Sequence, residues 1–153
     1  MTDLLNVLVL ALVSASIYAV AASGLVLTYT TSGIFNFAHG ALGMLAAYVY
    51  WQLRVGWGWP TPVALIVVLV VLAPAFGALI ERVIMRGLGD VSEVTKLVVS
   101  VSLLFGVYQL ALIWFPANVG RKLSGFYEGN FISLGFYDLP WHEAIILAAA
   151  VLT

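Results

Sequence analysis

The chain has 153 residues, of which 63% are hydrophobic and 8% are charged. Soluble domains carry about 25% charged residues, so this composition excludes a water-soluble globular protein and indicates an integral membrane protein. The net charge of −1 gives no basis for binding nucleic acid, and the absence of cysteine excludes disulfides, thiolate catalysis and cysteine-ligated zinc. Neither His39 nor His142 has neighbours at the spacing of a metal site, so we expect no metal and no cofactor.

Five apolar stretches follow one another along the chain, and the first is interpreted as an uncleaved membrane helix. Residues 19–21 resemble a signal-peptidase site, but the first residues hold Asp3 and no basic side chain, and the apolar run continues to Leu27. Four stretches are long enough to cross a ~30 Å hydrocarbon core at ~1.5 Å per residue, and the fifth is cut short at the C-terminus. The stretches cover residues 4–29, 35–53, 61–84, 94–115 and 141–153.

These apolar runs do not alternate with polar residues, which excludes a barrel, and lipid cannot satisfy free backbone groups, so helices are expected. The predicted fold is all-α: a polytopic helical membrane protein with four complete transmembrane helices, a truncated fifth, and a polar elbow between helices 1 and 2. The truncation indicates a fragment of a longer protein. Pro74 is expected to kink the third helix or to loosen its hydrogen bonds.

Polar groups crowd together where the first and second stretches meet, between Gly33 and Gly40. Asn36 and His39 are three residues apart and would share one face of a helix, so the second helix is predicted to start near Asn36, with Ser32 or Asn36 near its N-cap. Two interpretations stay open here. The elbow is either an interfacial turn wetted by headgroups and water, or a broken helix that lines a solute pathway.

The fourth stretch carries a few polar residues of its own. Lys96 lies close enough to the end of the stretch to extend its ammonium group to the membrane surface. Ser100 is expected to bond to a carbonyl of its own helix. Gln109 is expected to face another helix, either as a packing contact or as part of a pathway. The candidate pathway residues are thus Ser32, Gly33, Asn36, His39, Gly40 and Gln109.

If all four complete stretches cross, every tryptophan falls on one side of the membrane, where indole rings prefer the interface. Lysine and arginine are divided evenly and do not fix the orientation. The long loop 116–140 lies on the tryptophan side, and its Gly129-Asn130 pair is a weak hairpin signal that leaves an irregular loop equally open. The tryptophans are Trp51, Trp57, Trp59, Trp114 and Trp141.

Three segments of the chain carry distinctive motifs. "GLVLTYTTSGIFNFAHGALGMLAAYVYW", residues 24–51, contains NFAHG, followed by a stretch rich in glycine and alanine. "LIERVIMRGL", residues 79–88, closes the third apolar stretch with a glutamate–arginine pair, and "KLVVSVSLLFGVYQLAL", residues 96–112, belongs to the next stretch. Together these segments resemble the permease subunits of branched-chain amino-acid ABC importers, in their N-terminal half, although Ser100 and Ser102 stand where threonine and glycine are more usual in that family.

This resemblance implies that residues 1–153 are part of a transmembrane permease domain in a bacterial inner membrane. The implied partners are a second homologous permease subunit, two ATP-binding subunits and an extracytoplasmic solute-binding protein. The loop 81–93 would be cytoplasmic, with Glu81, Arg82 and Arg86 on the ATPase side. The N-terminus and the loop 116–140 would be extracytoplasmic. The implied cargo is a branched-chain amino acid, although relatives carry urea or short amides.

No glycine-rich phosphate loop and no nucleophile–base constellation is present in the sequence, so we expect a transport subunit rather than an enzyme. The predicted mechanism is alternating access driven by partner ATPases. The alternative is a non-conducting structural membrane subunit in which Asn36 and His39 are buried contacts between helices. A channel is disfavoured because no ring-forming acidic or filter-like motif is present.

Overall fold

A computed structural model describes residues 2–89, 91–116, 120–122, 129–133 and 138–153. The chain divides into two compact units. Unit 1 comprises Met1–Leu27 and Ser124–Thr153, and unit 2 comprises Thr28–Leu123. The elbow, between Gly33 and Gly40, therefore belongs to unit 2.

The prediction of a helical membrane protein is confirmed, whereas the prediction of four complete crossings is not. In the described part of the chain, three helices are long and apolar enough to span a membrane. The second apolar stretch forms only the 13-residue helix α2, His39–Trp51, which a π-helical turn, Gln52–Gly56, extends. The three candidate spans are Leu4–Ser32, Thr61–Leu88 and Glu93–Trp114.

Unit 1 contains most of helix α1, which runs from Thr2 to Ser32, and helix α6, Trp141–Leu152. The hydroxyl of Ser16 in α1 donates to the carbonyl of Leu12 at 2.8 Å, the usual way in which a serine satisfies itself inside an apolar helix. Helix α6 begins at Trp141 as the sequence predicts, and its 12 residues are fewer than a complete crossing needs.

A small hairpin precedes α6. Strand β1, Phe131–Ser133, pairs in antiparallel fashion with strand β2, Asp138–Pro140. A hairpin is therefore present in this loop, but the signal that pointed to it is wrong in position, because Gly129 and Asn130 come before β1 rather than between the strands. Residues 134–137, which connect the two strands, lie outside the described residues.

The third apolar stretch is one long helix with a change of hydrogen-bonding pattern in its middle. Helix α3, Thr61–Ile66, continues as a π-helical segment, Val67–Leu72, and then as helix α4, Ala73–Val83. The N–H of Ala73 reaches back five residues to the carbonyl of Val68. Proline has no N–H and its ring crowds the preceding turn, so the wider turn relieves Pro74. This confirms the loosened hydrogen bonding expected there.

Helices α2, His39–Trp51, and α5, Glu93–Trp114, form the core of unit 2. They run in the same direction, because the residues that precede α2 contact the first half of α5 while Tyr48 near the end of α2 stacks on Phe115. Ala111 is fully buried, and small residues of this kind let helix backbones approach closely. The buried cluster consists of Ala41, Leu45, Val107, Ala111 and Phe115.

Candidate functional site: the elbow between the first two helices

A glycine in the left-handed conformation follows the last residue of helix α1. Gly33 has φ of +67°, and its N–H donates to the carbonyl of Tyr29 at 2.8 Å. A side chain would be strained at this φ, which is why glycine commonly follows the last helical residue. The Ser32 hydroxyl donates to the Thr28 carbonyl at 2.7 Å and accepts from the N–H of Ile34 at 3.2 Å. The chain therefore leaves α1 with its polar groups bonded.

Asn36 forms a turn of its own before α2 begins. Its side-chain oxygen Oδ1 accepts from the N–H of Ala38 at 3.0 Å, and its carbonyl accepts from the N–H of His39 at 3.1 Å. The first bond is the Asx turn that asparagine favours. Helix α2 starts at His39 with Ala38 as its N-cap, and no side chain bonds to that cap. The predicted start near Asn36, with Ser32 or Asn36 as the cap, is therefore wrong by about one turn.

Ser100 ties the elbow to α5. Its hydroxyl donates to the carbonyl of Phe35 at 2.9 Å and accepts from the N–H of Phe37 at 2.6 Å. Ser100 is 0% exposed, so both bonds are shielded from water. The prediction that Ser100 bonds to its own helix is wrong, because the elbow supplies an unpaired donor and an unpaired acceptor on either side of Asn36. Ser102, two residues later, does bond to its own helix, at the carbonyl of Val98.

The elbow borders two clefts that α4 helps to form. The first, which we call the elbow cleft, has a volume of about 240 Å³ and is lined by both Asn36 and Glu81. The second, the His39 cleft, has a volume of about 360 Å³, and apolar residues of α2 and of the third helix complete it. Leu42 and Gly77 line both clefts. The remaining residues of the elbow cleft are Thr28, Thr31, Ser32, Ile34, Ile80 and Met85.

The structure separates Asn36 from His39, which the sequence pattern had placed on one helical face. Asn36 precedes α2 and lines the elbow cleft, whereas His39 is the first residue of α2 and lines the other cleft. Both side chains are half-buried. A tight turn therefore replaces the helical spacing that would align them.

The other predicted pathway residues do not gather at the elbow. Gln109 is exposed on the second half of α5, and the expectation that it faces another helix stays a prediction. Gly40 lies in the first turn of α2 and is exposed. Lys96, which was not a pathway candidate, forms an ion pair with Glu93 at 3.3 Å on its own helix and lines a separate cleft with Tyr29 and Phe35. Only Ser32, Gly33, Asn36 and His39 therefore belong to the elbow.

The predicted ATPase-side residues lie at the end of the third helix. Glu81 and Arg82 are in the last turns of α4, and Arg86 is in the 3₁₀ turn Met85–Leu88 that follows. All three are exposed. Glu81 also lines the elbow cleft, which its place in the sequence, far from the elbow, could not reveal.

An arginine at the opposite end of the α2–α5 pair was not anticipated. The Arg121 guanidinium lies 5.5 Å from the Tyr48 ring centroid, 5.2 Å from that of Trp51 and 5.5 Å from that of Phe115. Its Nη1 donates to the carbonyl of Pro116 at 2.8 Å. Cations are attracted to aromatic faces at this range. We call Arg121 and the three rings the arginine box.

A comparison with protein families decides what kind of protein this is. Residues 7–153 match the family model described as "Branched-chain amino acid transport system / permease component". The chain belongs to this permease family. The resemblance inferred from the NFAHG segment is thereby confirmed, and the apolar helices of the permease agree with a multi-pass membrane transport protein. Neither the curated proteins nor the solved structures gave a match.

Proposed function

We propose that this permease is the transmembrane part of an ABC importer and moves branched-chain amino acids, or related small amino acids and amides, inward by alternating access. Family membership supports the transport role. The observation that carries the pathway assignment is that Asn36, in the elbow, and Glu81, on α4, line one cleft. Irregular backbone within a membrane is tolerated where it is packed in protein or borders a cavity, and the elbow meets both conditions.

In this proposal the partners are a second homologous permease, two ATP-binding subunits and an extracytoplasmic solute-binding protein, all in or at a bacterial inner membrane. The N-terminus and the loop 116–140 face outward. Arg82 and Arg86 face the ATP-binding subunits, and the elbow cleft lies near the inner mouth of the pathway. ATP-driven closure of the ATP-binding subunits rocks the helices, and the solute passes Asn36 and His39 on its way in.

Uptake of labelled leucine by the full-length permease with its partners tests the pathway assignment. We expect Asn36→Ala and His39→Ala each to lower uptake about tenfold, because a lost hydrogen bond to the solute is worth about 1.4 kcal/mol. Ser102→Ala is the matched control, since the Ser102 hydroxyl donates to the carbonyl of Val98 on its own helix and to no other residue that the structure describes. This control variant should transport at the wild-type rate.

The same measurement separates transport from the structural alternative. If the two residues only hold helices together, their variants will assemble less well with the ATP-binding subunits, and uptake per assembled complex will stay at the wild-type level. Wild-type uptake by both variants at normal expression would contradict the pathway assignment.

A further inference from the structure

We infer that the elbow cleft binds the zwitterionic head group of an amino acid, with Asn36 donating to the carboxylate and Glu81 accepting from the ammonium group. This inference rests on the proposed transport function and narrows it. It selects amino acids over urea and short amides, between which the family resemblance does not choose.

The first half of the site is the amide of Asn36. Its Oδ1 is committed to the N–H of Ala38 at 3.0 Å, which fixes the orientation of the amide group. Ser100 bonds the carbonyl of Phe35 and the N–H of Phe37, and so holds the backbone on both sides of Asn36. The Nδ2 group makes no hydrogen bond to any residue that the structure describes. An amide N–H₂ is a donor only, so the ligand atom it takes is an acceptor such as a carboxylate oxygen.

The second half of the site is the carboxylate of Glu81. Its side chain is exposed and forms no ion pair with the described residues. Arg82 and Arg86 are close in sequence but do not line the cleft, and Lys96 pairs with Glu93 instead. The charged residue of the cleft lining is thus an anion. A ligand that carries an ammonium group gains a charge-assisted hydrogen bond there, whereas a neutral ligand leaves the charge unpaired.

The rest of the lining suits a small aliphatic side chain. Ile34, Leu42, Ile80 and Met85 provide the apolar surface of the cleft. Its volume of about 240 Å³ is below the range of ~300–1,000 Å³ typical of drug-sized ligands, so a single small solute is the expected occupant. A polar donor, an anion and an apolar wall together match an amino acid with a branched aliphatic side chain.

Cysteine protection in the purified full-length complex, without the solute-binding protein, tests this site directly. The described chain has no cysteine, so Met85→Cys introduces a single reporter in this segment, and its maleimide labelling is measured on this chain alone. Val94→Cys, in the first turn of α5 and outside both the elbow cleft and the His39 cleft, is the matched control. We expect leucine to slow labelling several-fold for Met85→Cys and to leave the labelling of Val94→Cys unchanged.

Ligands that lack one charged group then assign each half of the site. 3-Methylbutylamine lacks the carboxylate and 4-methylpentanoate lacks the ammonium group, and we expect each to reach half-protection only at about tenfold higher concentration than leucine. Glu81→Gln should raise the leucine concentration needed for half-protection about tenfold without changing the 4-methylpentanoate concentration needed. Asn36→Ala should raise the leucine concentration needed for half-protection without changing that for 3-methylbutylamine. Glu81→Asp, which keeps the charge, should restore most of the leucine protection.

The outcomes distinguish this inference from the proposed function. Equal leucine protection in Glu81→Gln and wild type, or equal protection by acetamide and leucine, overturns the zwitterion site. If leucine uptake still falls in Asn36→Ala while protection is unchanged, the transport proposal stands and the site proposal fails. If leucine protects but the full-length complex takes up no amino acid, the site stands and the transport proposal fails.

Discussion

At the elbow end of the α2–α5 pair a neutral hydroxyl bonds two backbone groups, whereas at the opposite end a cation lies against three aromatic rings. The Ser100 contact depends on two short, directional bonds. The Arg121 contact is divided among three rings, each more than 5 Å from the charge. A turn between two helices leaves backbone N–H and carbonyl groups that need specific hydrogen-bond partners, while a cation beside several aromatic rings needs only a favourable environment. The two ends should therefore tolerate substitution very differently.

The largest effect is expected at the elbow end. Ser100→Ala leaves a buried N–H and a buried carbonyl without partners, and we expect a loss of about 2–4 kcal/mol in the free energy of unfolding. Denaturant unfolding of the purified protein measures this loss. Ser100→Thr keeps the hydroxyl and should recover most of the stability, and Ser102→Ala should cost less than about 0.5 kcal/mol. A Ser100→Ala protein as stable as Ser102→Ala would show that the elbow does not need the hydrogen bonds of Ser100.

A smaller loss is expected at the arginine box. Arg121→Ala removes the cation from the faces of Tyr48, Trp51 and Phe115, which we expect to cost about 1–2 kcal/mol in the same unfolding measurement. The adjacent exposed residue Lys122 supplies the control, and Lys122→Ala should be close to neutral. The comparison between the two ends breaks down if Arg121→Ala proves more damaging than Ser100→Ala.

The smallest effect on stability is expected at the elbow itself, where it distinguishes the roles of Gly33 and Gly40. Gly33→Ala places a side chain at φ of +67° and should destabilise the protein by about 1 kcal/mol. Gly40 lies in α2, and a Cβ added there meets no atom within 4 Å, so Gly40→Ala should be neutral or slightly stabilising. Equal thermal stability of the two variants would mean that the turn after α1 does not depend on glycine.

Local patterns in the sequence predicted much of this architecture. The first helix, the position of the elbow, the start of α6 at Trp141 and the disturbance near Pro74 all follow from hydropathy, glycine and proline. These features depend on residues close together in the chain. The extent of the second helix was predicted less well. Apolar composition did not show that the chain would stay non-helical between the end of α1 and His39.

The contacts that define the site could not be predicted in the same way. Ser100 meets Phe35 and Phe37 across more than sixty residues of sequence, and a serine in an apolar helix ordinarily bonds to its own helix. Likewise, Glu81 appeared only as part of a charged helix end. Its place beside Asn36 depends on how α4 packs near the elbow, which no local pattern encodes.

The π-helical segment Val67–Leu72 affects the chemistry of the elbow cleft, although none of the six side chains of this segment line that cleft. Each residue rotates an α-helix by about 100°, and a wide turn accommodates one more residue than the regular ladder does. The angular position of every residue beyond it is thereby offset. Deleting any one of these six residues would turn Gly77 and Glu81 more than a quarter of the way around the helix axis. The length of this plain aliphatic run, rather than its composition, thus determines whether an acidic side chain lines the elbow cleft together with Asn36.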